Sequence, residues 1–125
     1  MRYLGIDYGS KKTGLAFSDE SGALAFPHSV IPTTRTLAND IVSLLKEGDV
    51  TNVVIGHSQA FDGVDNPIME GVYALQRTLE AKGCAVYLEP EFLTTHQAKR
   101  NTADSMADAA AAALILQSFL DRQHG

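Results

Sequence analysis

Val53-Val54-Ile55 is a run of β-branched residues too short for a helix, and it lies between two stretches whose apolar residues recur at helical spacing. Upstream, Leu37, Ile41, Leu44 and Leu45 mark one face of a helix over about Thr34 to Glu47, which Gly48 closes. Downstream, Asn66-Pro67 makes a helix start, Ile68, Val72, Leu75 and Leu79 form its buried stripe, and Gly83 ends it. A strand held between helices in this way pairs in parallel, is covered on both faces and is joined to its neighbours by right-handed crossovers. Ala85-Val86-Tyr87-Leu88 reads as the next such strand, and Ala109 to Leu120 as a closing helix.

The first third is patterned differently. Residues 2–7 form a short apolar strand ending in Asp7, and Tyr8-Gly9-Ser10-Lys11-Lys12 reads as a turn. Thr13 to Ser18 supplies a second strand, Ser21-Gly22 another turn, and Leu24 to Ile31 a third strand whose Pro27 suits a sheet edge. The order predicts an α/β chain with a mixed five-stranded sheet, three antiparallel strands followed by two parallel ones, flanked by helices. In open sheets of this kind the site lies at the carboxyl ends of strands where the strand order reverses. That rule selects Asp7 and a loop at Gly56-His57.

A chain of 125 residues with 45% hydrophobic content is expected to form one domain over 1–125. No apolar run approaches the roughly eighteen residues of a membrane span, and Met1-Arg2-Tyr3 leads directly into strand-like sequence, so a cytoplasmic protein is expected. Cys84 is the only cysteine, which rules out an internal disulfide and leaves no cysteine cluster for zinc; a small buried apolar role is expected for it. The formal net charge of −5 argues against a protein that coats nucleic acid through a broad basic surface. It leaves open an enzyme that meets phosphates through a metal, because a bound cation reverses the sign of an acidic site.

Three carboxylates stand out. Asp7 ends a strand at a Gly/Ser/Lys loop, where it can either cap the turn or project beyond the sheet toward a ligand. Glu91 follows the last strand, on the same side as Glu89 by alternation. Asp108 heads the alanine-rich helix, where Ser105-Met106-Ala107-Asp108 also fits a capping box. Hard cations such as Mg²⁺ take a few oxygen ligands and share the rest of their shell with water and phosphate, so three acidic groups suffice if the fold gathers them.

The stretch Leu4-Gly5-Ile6-Asp7-Tyr8-Gly9-Ser10-Lys11-Lys12-Thr13-Gly14-Leu15-Ala16 resembles the opening of the YqgF/RuvX family. Val54-Ile55-Gly56 with Asp62-Gly63, Glu91-Phe92-Leu93-Thr94-Thr95, and Asp108 to Leu120 resemble its central strand and loop, its acidic segment and its closing helix, in the same order. The resemblance implies an RNase H-like fold and a metal-dependent nuclease that matures the 5′ end of pre-16S rRNA or resolves Holliday junctions. It makes Asp7, Glu91 and Asp108 the acidic site, holding Mg²⁺ or Mn²⁺, with two ions as the expected number. The chain departs from the family with His57-Ser58 in place of Leu-Pro and with Pro90-Glu91-Phe92 in place of Asp-Glu-Arg, losing an arginine expected to touch a phosphate.

Lys11, Lys12, Lys99 and Arg100 are the basic residues expected near nucleic-acid phosphates, whereas Arg35 reads as solvated surface. His57, expected at the mouth of the site, is a candidate to contact substrate and shuttle a proton. Three functions follow: an endonuclease on structured RNA, a resolvase of four-way DNA working as a homodimer, and a nucleic-acid-binding domain without catalysis. The first requires no particular assembly, monomer or homodimer.

Overall fold

The computed structural model describes residues 1–59, 68–92 and 107–124, excepting the side chains of Ser58, Gln59, Glu91, Phe92 and His124. The expected turn at Asp62-Gly63, the helix start at Asn66-Pro67, the capping residues Ser105 and Met106, and Lys99 and Arg100 lie outside the described residues.

Strands β1 (Tyr3–Asp7), β2 (Lys12–Ser18) and β3 (Ala25–Pro32) form the antiparallel meander. Helix α1 (Leu37–Gly48) follows, then β4 (Asn52–Gln59), α2 (Met69–Ala81), β5 (Ala85–Phe92) and α3 (Ala107–His124). The sheet order is β3-β2-β1-β4-β5, with β4 parallel to both β1 and β5. The mixed sheet is therefore the one the residue pattern predicts. Pro27 lies on the edge strand β3, where a missing N–H costs no ladder bond. The β2–β3 register jumps from Leu15↔Ser29 to Ala16↔Pro27, leaving His28 as the extra residue of a bulge.

Alternation along the strands sends side chains to two cores. Leu4, Ile6, Leu15, Phe17, Val53 and Ile55 pack with the buried stripes of α1 and α2. Ala16 and Val54 pack instead against α3, through Ala112, Leu116, Phe119 and Leu120. Small residues let α3 lie almost on the sheet: a Cβ at Gly5 would stand 2.7 Å from the Leu116 Cβ and 2.9 Å from the Ala112 carbonyl oxygen. The buried Ala109, Ala111, Ala112 and Ala113 suit this close approach, and Leu116, Phe119 and Leu120 fill the space further along the helix.

Several boundaries differ from expectation. β4 does not stop at Gly56, nor β5 at Leu88; the two strands continue in parallel register through Gly56↔Glu89, His57↔Pro90, Ser58↔Glu91 and Gln59↔Phe92. Backbone pairing satisfies N–H and C=O groups whatever the side chains, so polar residues extend a strand whose neighbour extends too. Helix α1 begins at Leu37 and includes Gly48, and Asp49, at φ 54° and ψ 48°, takes the left-handed cap position. The Gly48 carbonyl instead accepts a hydrogen bond from Arg2 Nη1 at 3.2 Å. Helix α3 runs past both ends of the expected 109–120 segment. Cys84 is half-buried rather than buried, and desolvation raises its thiol pKa. No helix among the described residues is long and apolar enough to cross a membrane.

Candidate active site

Asp7 is the last residue of β1 and is 2% exposed. Its face of the sheet is fixed by two neighbours. Gly5, two residues back in the strand, opens toward α3, and Gly14, directly opposite Asp7 in the β1–β2 ladder, opens toward α3 as well. A Cβ at Gly14 would stand 1.9 Å from the Asp108 carbonyl oxygen and 2.9 Å from the Ala109 nitrogen. The first turn of α3 therefore rests on the bare backbone of Gly14, beside Asp7. Two aspartates distant in sequence are brought to one end of one sheet face by a position with no side chain.

Asp108 is 9% exposed, in the first turn of α3, where the helix dipole favours a carboxylate. Lys12, at the start of β2, reaches it with Nζ 3.7 Å from Oδ2. Lys12 itself is mostly exposed, as is Lys11. The loop between β1 and β2 is anchored on its far side by Tyr8, which lies on α2 so closely that a Cβ at Gly71 would stand 2.3 Å from its hydroxyl oxygen.

The glutamates of β5 have separate fates. Glu89 is 3% exposed and accepts a 2.8 Å hydrogen bond from Ser118 Oγ, and the Arg122 guanidinium ion-pairs with it, so its carboxylate ties β5 to α3. Glu91 stands two residues further on, in register with Ser58 and inside the strand rather than after it; its side chain is not among those described. His57 was expected in a loop but lies within β4, in register with Pro90. It continues the row of Val53 and Ile55, which belong to the α1/α2 core on the opposite face from Asp7. Arg35 is exposed, as expected.

Among the described residues no group of three or more His, Cys, Asp or Glu is placed to share a metal ion. The described part of the expected donor set, Asp7 and Asp108, consists of carboxylate oxygens on one face, the donor chemistry that suits a hard divalent cation. Residue patterns identified both aspartates but not Gly14 or Glu89. Gly14 acts through an absent atom, and Glu89 looks like any other acidic residue until Ser118 and Arg122 are brought against it.

The RuvX family, described as Holliday junction resolvase, matches residues 1–122. Among related sequences, a protein of Anaplasma marginale named "Putative pre-16S rRNA nuclease" is 35% identical over 136 residues, covering 99% of this chain and 87% of its own. One of the same name from Syntrophus aciditrophicus is 38% identical, covering 97% and 89%. Among solved structures, T. thermophilus RuvC in complex with a Holliday junction substrate superposes with a TM-score of 0.58 at 19% identity, covering 100% of this chain and 97% of that one. The fowlpox virus Holliday junction resolvase gives 0.61 at 13%, covering 98% and 99%.

Proposed function

Since the chain belongs to the RuvX family of nucleases and has the RNase H-like fold of the RuvC-type resolvases, we propose that it is a divalent-metal-dependent endonuclease that trims the 5′ end of pre-16S rRNA in the cytoplasm. The observation that carries this reading is that Asp7 and Asp108, both buried, each lie next to the bare backbone of Gly14, the first in the ladder and the second through the first turn of α3. Both lie next to the loop that carries the exposed Lys11 and Lys12, on the solvent side of the sheet end.

In this reading Asp7 and Asp108 hold Mg²⁺ or Mn²⁺, and Glu91 supplies a third carboxylate from the end of β5. When bound, one or two such ions supply the charge that activates water and stabilises the leaving oxygen of a phosphodiester. Lys11 and Lys12 orient the substrate by meeting its phosphates, with Lys99 and Arg100 as further contacts. The row occupied by His57 faces away from Asp7, which gives it no proton to carry at this site. The whole domain, residues 1–125, acts as one unit.

RNA is preferred as substrate because the relatives that match nearly the full chain are named for pre-16S rRNA. The family's description favours four-way DNA as the second reading, using the same residues; paired symmetric cuts would then call for a homodimer. Replacing Asp7 with Asn tests the site. It keeps the side-chain volume and should lower Mg²⁺- or Mn²⁺-dependent cleavage by more than the roughly 10–100-fold that loss of an outer hydrogen-bonding partner costs. The circular dichroism spectrum should not change. Undiminished cleavage would refute the assignment, and parallel assays on precursor rRNA and four-way junctions decide the substrate.

A further inference from the structure

We propose that Thr33, just beyond β3, is a positioning residue for this reaction, locking the loop that aims Lys11 and Lys12 at substrate phosphate. The proposal rests on the nuclease reading for its chemistry, but its geometry stands apart from it. The Thr33 backbone N–H donates to the Lys11 carbonyl at 3.0 Å, and its hydroxyl donates to the Gly9 carbonyl at 2.7 Å. Thr13 Oγ1 lies 2.7 Å from the same hydroxyl oxygen. A hydroxyl has one hydrogen, and that of Thr33 is committed to Gly9, so Thr33 accepts from Thr13. The relay runs from the fully buried Thr13 through Thr33 to Gly9.

These bonds fall on Gly9, Lys11 and Thr13, which bracket both lysines. Gly9 tightens the same loop, for a Cβ there would stand 2.4 Å from the Lys12 carbonyl oxygen. The backbone is thus fixed at several points while the side chains of Ser10, Lys11 and Lys12 remain exposed. Ordering a free loop costs about 1–2 kcal/mol per residue. Prior locking removes that cost from substrate binding and keeps Lys12 within reach of Asp108. The N–H bond to Lys11 continues the β2–β3 ladder by one rung, but a clasp that only joined β3 to its neighbour would not need the hydroxyl bond to Gly9.

The test compares Thr33→Val and Thr33→Ser in the full chain. Binding of a fluorescent RNA hairpin with single-stranded flanks is measured in Mg²⁺ over a range of salt, in an Asp7→Asn background that suppresses cutting. Thr33→Val should weaken binding by about tenfold and flatten log K against log[salt] by about 0.9 per lost duplex phosphate contact, or about 0.7 for a single strand. Thr33→Ser should restore both. With Asp7 intact, Thr33→Val should raise KM while leaving kcat within about threefold. Amide relaxation on the wild-type chain guards against a variant that fails to fold: Gly9 to Lys12 should show rigid-backbone order parameters of about 0.85. An unchanged salt slope in folded Thr33→Val, or order parameters below about 0.6 in the wild type, overturns the proposal. Should no substrate be cut at all, the nuclease reading fails, while the salt slope and the relaxation data still decide the clasp.

Discussion

Gly14→Ala is the substitution that most directly probes how the site is assembled. The added Cβ would stand 1.9 Å from the Asp108 carbonyl oxygen and 2.3 Å from its carbon, and restoring ordinary contact at 3.4 Å requires a movement of about 1.5 Å. The obstacle is backbone, so no rotamer change relieves it; the first turn of α3 must move away from the sheet, taking Asp108 away from Asp7. Overpacking of this kind costs about 1–3 kcal/mol, or roughly 3–5 °C of Tm per kcal/mol at this chain length. A displacement of about 1 Å in catalytic geometry can cost on the order of 100-fold in rate. The assay is cleavage at a temperature where circular dichroism shows the variant at least nine-tenths folded, so that unfolding accounts for little of the loss. Gly5→Ala is the control, since it presses on the same helix but asks only about 0.7 Å of the Leu116 Cβ and about 0.5 Å of the Ala112 carbonyl oxygen, moving them from 2.7 Å and 2.9 Å to 3.4 Å, and does so one to two turns along α3 from Asp108. It should lower Tm and largely spare the rate. Equal rates for the two alanine variants, or an unchanged Tm in Gly14→Ala, would refute the claim that Gly14 sets the distance between the aspartates.

Lys12→Met removes the cation now beside Asp108. Lys12 is mostly exposed although Asp108 is buried, so solvent screening holds the 3.7 Å pair to about 1 kcal/mol and Tm should fall by only a few degrees. Calorimetric titration should show tighter Mn²⁺ binding, because a competitor has gone, while RNA affinity falls; weaker Mn²⁺ binding would show that the lysine does not compete. Glu89→Gln keeps an acceptor for Ser118 but loses the charge that faces Arg122, whose own side chain is largely exposed and can rehydrate. A loss of about 1–3 kcal/mol in chemical denaturation is expected, with much more cleavage retained than in Asp7→Asn; a rate as low as that variant's would make Glu89 part of the reacting site.

The architecture was legible where side-chain chemistry and periodicity agree. Leu37, Ile41 and Leu45 mark the buried face of α1, and the β-branched run at Val53 is the buried centre of β4. Asp7 and Asp108 were visible as acidic residues at element ends, and the sheet order then puts the first where the strand sequence reverses, between β1 and β4. What escaped the pattern was set by distant partners. His57 and Glu91 looked like loop residues because polar side chains hide a strand whose continuation depends on its neighbour's backbone. Gly48 looked like the helix terminator, yet the left-handed position fell one residue later, on Asp49. Gly14 and Thr33 carry no signal of their own, one acting by lacking a side chain and the other through a hydroxyl whose partners lie back in the β1–β2 segment.

The acidic balance of the chain and a nucleic-acid substrate are compatible because charge placement matters more here than the total. The net charge of −5 is spread over the whole chain, whereas Asp7 and Asp108 are buried at one end of one sheet face and two consecutive lysines occupy the adjoining loop. The N-terminal turn of α3 contributes a favourable interaction of about 0.3–1 kcal/mol to a carboxylate at its first turn, and Lys12 adds an ion pair from the solvent side. The lysine that pairs with Asp108 is itself mostly exposed. A divalent ion arriving from solvent can therefore displace an exposed ammonium group without opening the core, and the displaced lysine is left beside the place where a phosphate would bind. In the proposed reaction the same surface loop would stabilise the acidic site before an ion is present and supply the phosphate contact afterwards, with its backbone held while its side chains stay exposed.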